Sequence, residues 1–200
     1  MAVSRFLLAT GAGLAFCTAA LVATTLVPTD FKEVVSSSTL IVRGHVTDTR
    51  GVITPLGGIE TVVTVAVDSF IKGQADAFIS LRLPGGQVGN SRMVTIGAPT
   101  LKIGQQAVLF LKAGPDNALR PVGLTMGVYP VLPEALSGRP VVLPPVVAGQ
   151  TSSTRQPVRG DVRRKPMPVQ EFESLVKLVM NAPRAVPRSA VTGTGRGGAR

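Results

Sequence analysis

The 200-residue chain has no tryptophan, one tyrosine, one histidine, one cysteine and only 11 acidic residues. With Cys17 as the sole cysteine, an internal disulfide, a cysteine zinc site and a dithiol redox pair are all excluded. His45 is the sole histidine, so any histidine-based metal site or catalytic triad has to include it, and no further ligand types cluster around it in the sequence. Asp48, three residues further along a strand, points to the opposite face and cannot orient the imidazole. His45 is therefore expected to be a surface side chain in the outward set with Arg43. The carboxylates Glu60, Asp68, Asp76, Asp116 and Glu134 are scattered, with no pair spaced for glycoside or aspartic chemistry. With Tyr129 the only tyrosine, the stacking platforms that bind single-stranded nucleic acid are missing, and nucleic acid is not an expected partner. No catalytic residues, metal or cofactor are expected.

What is present begins with an export pattern. A short basic start ending at Arg5 precedes an apolar, uncharged run at 6–22, followed by small residues including Ala23. This predicts a signal peptide over 1–23, cut after Ala23 with Ala20 as second choice, and a secreted or periplasmic product. An uncleaved anchor is the alternative, although the run is at the short edge of what crosses a bilayer. Cys17 lies inside this segment, and bulky Phe16 before it spoils a lipoprotein box. Gly11 and Gly13 lack the preceding strand of a dinucleotide loop.

The charge is uneven. Residues 24–150 carry ten Lys or Arg against eight Asp or Glu, whereas 151–200 carry ten against three. The folded part is nearly neutral and the tail, 182–200, reads as a disordered basic extension. Weak, salt-sensitive contact with anionic surfaces is the partner expectation for that tail.

Between these ends the pattern is β. The stretch 61–73 (TVVTVAVDSFIKG) is rich in β-branched residues at period two and predicts a long strand. Before it, 39–48 (TLIVRGHVTD) predicts a first strand paired with it as an antiparallel hairpin across a link containing Pro55. Gly44 in its inward set predicts a bend or close backbone crossing. Further strands are expected at 78–83, 91–96, 106–112 and 127–131, with 108–111 apolar on both faces and covered on both. A short helix at 30–37, opened by a capping box of Asp30 and Glu33, is predicted to lay Phe31, Val34 and Val35 on the sheet. A second at 169–180 gathers Val169, Phe172, Leu175, Val176 and Val179 on one face, with Pro168 at its start. The proline-bearing stretch 133–167 reads as an irregular wrap or linker.

Two local motifs have simpler readings than the chemistry they mimic. Ser69 and Lys72 have the S-x-x-K spacing of penicillin-recognising enzymes, yet on a strand they face opposite sides. The run 84–90 (PGGQVGN) lacks the Gly-Lys-Ser/Thr ending of a phosphate loop and is expected to be a mobile loop, in which glycine lets a partner come close.

The order STLIVRGHV, ETVVTVAVDSFIKG, FISLRLPGG, a glycine loop and LKIGQQAVLFLKAG resembles the OB-fold modules of netrin-like domains and tissue inhibitors of metalloproteinases, over about 30–114. It is also similar to exported bacterial proteins of this size for which no activity is established. The resemblance implies a mainly β fold: a small five- to six-stranded closed OB-like barrel with a short N-terminal and a C-terminal helix. The barrel domain is placed at 24–132 and the second helix at 168–181. The function so implied is an exported, non-enzymatic binding or interaction module, associated with a secreted protein or protease. A structural envelope protein held by its basic tail is the alternative. Those inhibitors chelate zinc through a clamped N-terminal cysteine, whereas the expected mature end here is Thr24 and Thr25, without a clamp. The candidate binding residues are Thr24 and Thr25 at that end, and Gly85, Gly86 and Gly89 in the glycine loop.

Overall fold

A computed structural model of the chain describes residues 30–145 and 165–182. The expected signal peptide, Thr24, Thr25, the middle of the proline-bearing stretch and the basic tail beyond 182 lie outside those residues. The described part is mainly β, with a short helix near each end. In chain order it runs α1 (Phe31–Ser37), β1 (Leu40–Ile53), β2 (Ile59–Lys72), β3 (Phe78–Pro84), β4 (Gly86–Val88), β5 (Ser91–Met93), β6 (Gln106–Ala113) and β7 (Leu119–Pro121). A 3-10 turn (Leu124–Gly127), β8 (Val128–Pro133), β9 (Pro140–Val142), β10 (Met167–Pro168) and α2 (Val169–Asn181) follow.

Helix α1 forms because Phe31, Val34 and Val35 fall on one buried face. Asp30 stands at its N-cap, but its side chain makes no capping bond. Its backbone carbonyl instead accepts from the Glu33 and Val34 amides, so the expected capping box is not formed. At the other end the buried Ser38 hydroxyl donates to the Val34 carbonyl at 2.6 Å, and Lys72 Nζ donates to the Val35 carbonyl at 3.0 Å. A cation at the carbonyl end of a helix is favourably placed. That contact is the role of the lysine in the S-x-x-K spacing.

Strands β1 and β2 pair antiparallel along their whole length, with three shifts of register. At one shift Arg43 faces Ser69 while Gly44 faces Val67, which leaves Asp68 as an extra, bulged residue. Gly44 is required there: a Cβ would run into the Ala66 carbonyl oxygen and lie 2.7 Å from a Val65 methyl. The close crossing expected at this glycine is present.

The pairings continue β2–β3, β3–β7, β7–β6 and β6–β1, so five strands return to where they began, with β3–β7 a single parallel register pair, Leu81 with Leu119. This ring differs from the expected strand set. Residues 91–96 do not enter it; β5 folds back on β4 as a separate two-stranded sheet. The turn Gly89-Asn90 lets the glycine segment hairpin on itself, and the short β7 takes the vacated place. β8 lies beside the first half of β6, outside the ring, and β9 and β10 extend from it. The stretch expected to be an irregular wrap thus contributes Pro140–Val142 as a paired strand.

Alternation along β6 divides the core. Leu109 and Leu111 face an aliphatic interior with Val42, Val63, Val65 and Leu81. Val108 and Phe110 face the opposite layer, which α1 and α2 cover. Four rings meet in that layer: Phe110 lies 5.8 Å from Phe31, 5.1 Å from Tyr129 and 6.2 Å from Phe172 between centroids. These separations are those of favourable tilted and edge-on aromatic pairs.

Candidate functional site

Among the described residues two clusters of ionisable groups stand on the outer sheet face, and each ties separate elements together. The bulge aims Asp68 at its neighbours, where it accepts from Gln106 Nε2 at 2.8 Å and meets His45 Nδ1 at 3.1 Å and Arg43 at 3.8 Å. Arg43 Nε in turn donates to Glu173 of α2 at 3.0 Å. His45 is exposed, as expected, and Asp48 is not its partner. Asp68 fills that role through a bulge that strand alternation cannot reveal.

In the second cluster Glu60 accepts from Arg82 at 3.2 Å and from Arg120 at 3.1 Å, joining β2, β3 and β7 beside the single-pair seam. Arg120 also grips Asp116 with two N–H groups, one of them at 2.9 Å. Hydrogen bonding from Arg120, with help from the Ala118 amide, holds the Asp116 carboxyl well below the usual carboxylate range, and the Arg120 guanidinium is held correspondingly more firmly protonated. Among the described residues no group of three or more His, Cys, Asp or Glu is placed to hold a metal ion.

A different arrangement is found at the end of the ring where β3 finishes. A cleft of about 480 Å³ opens there, floored by Leu83 and Leu101, both buried members of the aliphatic interior. Gly85 and Gly86 line it, fixed by the Gly85 amide donating to the Ile59 carbonyl at 2.9 Å and the Thr61 hydroxyl donating to the Gly85 carbonyl at 2.8 Å. A side chain at Gly86 would strike that Thr61 hydroxyl, so this glycine is needed for the close approach itself. One wall is Arg92, Met93, Val94 and Thr95; the other is 98–101. Thr125 fastens the loop between them, its hydroxyl donating to the Gly97 carbonyl at 2.6 Å.

Polar and apolar side chains share the lining. In its wall Val94 is 74% exposed, whereas most other valines among the described residues fill the core, and Ile96, next in sequence to the lining residue Thr95, is 86% exposed. Among the described residues Arg92 is the only charged one lining the cleft.

The structure therefore brings Gly85 and Gly86 together at this cleft and sets Gly89 apart, at the hairpin tip in open space. Arg92, Met93 and Val94 were not singled out from the sequence because they read as one more ring strand; the unusual signal was Met-Val-x-Ile immediately after a glycine-rich break. Among the described residues no helix is long and apolar enough to cross a membrane. No protein-family model matches the chain, and no curated protein sequence is similar to it.

Proposed function

We propose that the chain is an exported, non-enzymatic interaction module, its five-strand ring an OB-like closed barrel whose open end receives a secreted protein. The observation that carries this reading is the cleft of about 480 Å³, with a glycine floor edge, with Val94 exposed in its wall and with Ile96 exposed just beyond the lining residue Thr95. Two such side chains held in water cost free energy that a partner would recover on covering them. The polar groups lining the cleft are Thr61, Gln87, Arg92, Thr95 and Thr100, a set suited to holding a ligand. A protease is the partner class favoured by the resemblance to metalloproteinase inhibitors, and no cofactor is required.

Incubating the purified protein with secreted proteases, and following both inhibition and co-elution, tests the reading. Complex formation that weakens in Val94→Asp supports it; neither complex nor inhibition across metallo-, serine and cysteine proteases removes the protease partner. The excess of ten basic over three acidic residues in 151–200 favours a second reading, an envelope protein held to anionic surfaces. Cosedimentation with anionic vesicles that is unchanged on deleting 184–200 would dismiss it.

A further inference from the structure

Strand β5 has one strand partner, β4, so its other backbone edge is unpaired with any strand among the described residues. Ser91, Arg92 and Met93 are all exposed, and the last two line the cleft. A short, exposed, unpaired edge is a template for an added strand. The cleft beside it ends on apolar Leu83 and Leu101, which suits the inward side chains of an extended segment. Arg92 adds a charge preference. Arg43, Arg82 and Arg120 each reach a carboxylate, whereas Arg92 has no carboxylate partner among the described residues and no acid lines its cleft.

We propose that the cleft binds an extended peptide segment of a partner protein by strand addition to β5, with apolar residues inward and an acidic residue paired with Arg92. This rests on the reading of the chain as an interaction module and names the chemistry its partner presents. Main-chain hydrogen bonds to β5 supply affinity, while the alternating side chains and Arg92 supply selection. Three residues of β5 span on the order of 10 Å, so the bound core is about three to five residues long.

The test uses the full-length protein and three synthetic peptides with blocked ends: alternating Val and Glu, alternating Val and Lys, and the Val/Glu peptide N-methylated along its backbone. Calorimetry is expected to show the Val/Glu peptide binding at least about tenfold more tightly than either other peptide, with a preference that fades as salt rises. In Arg92→Glu the order of the two charged peptides should reverse. Because Arg92 is exposed and has no carboxylate partner among the described residues, an unchanged melting temperature will confirm that this variant folds. Equal binding of the acidic and basic peptides, indifference to N-methylation, or an Arg92→Glu protein that keeps the original preference would each overturn the proposal. So would concentration-dependent dimerisation that blocks the peptides, which would make a second copy the occupant. A protein that captures a protease but ignores all three peptides rejects strand addition alone; one that binds neither rejects the interaction module as well.

Discussion

The two apolar layers that share β6 are closed by different means. The aliphatic interior is enclosed by the strands themselves, and its buried members all come from 40–128. The aromatic layer is open until α1 and α2, from opposite ends of the described chain, lay Phe31 and Phe172 over Phe110 and Tyr129. The contrast separates the parts of the fold that carry its stability from the cleft. Both layers meet at β6, while the cleft lies at the far end of the ring and borrows only Leu83 and Leu101 from the interior. The cleft rim can therefore change without disturbing the helix-covered face.

The largest effect is expected at Phe110, which is fully buried and touches all three other rings. Phe110→Ala should cost about 4 kcal/mol in denaturant unfolding and release both helices from the sheet. A loss with helix docking intact would mean that the aromatic layer is not what seats them. On the other side, Leu81→Ala should cost about 3 kcal/mol while α2 stays docked, as reported by amide shifts across 169–181. If α2 loosens equally, the layers are not separable.

Gly44 offers a smaller effect on the ring alone. Gly44→Ala places a methyl against the Ala66 carbonyl and should destabilise by about 2 kcal/mol in thermal melts, through the β1–β2 crossing and not through the helices. Smallest is the effect of acid on the Asp116–Arg120 pair. The folded carboxyl titrates below its ordinary value of 3.8, so its contribution is complete above that pH and is lost as pH falls below it toward the depressed value. Stability from this pair should be flat between about pH 5 and 8, and Asp116→Asn should flatten only the acid limb of a melting temperature against pH curve. Because Asp116 is solvent-exposed, a slope that persists unaltered in Asp116→Asn assigns the acid sensitivity to other carboxylates.

How far the sequence reveals this structure depends on how local each signal is. The β-branched period of β2, the two-sided apolar run of β6 and the helical spacing of Phe172 and Val176 are carried within a few residues, and each yields the observed element. Gly44 was legible because a missing side chain on an inward position has few structural uses. Strand β7 was not: its three residues end in Pro121 and carry no period, and β3 and β6 alone give it a place. The partnership of His45 with Asp68 depends on a register shift, which is set by the whole hairpin. At the cleft, 84–90 was expected to be a mobile loop open to a partner; Gly86 instead belongs to β4 and is approached by Thr61 of the same chain, a contact that no local pattern carries. Arg92 and Met93 look like ring members until β4 captures β5.

Stability is concentrated around β6, and the cleft rim is held apart from it. Native-state hydrogen exchange measures this residue by residue. Amides of Val108, Leu109 and Phe110 are expected to exchange only with global unfolding, while those of β4 and β5 exchange through local opening at far lower free energy. Equal protection in β5 and β6, or faster exchange in β6, would contradict that separation.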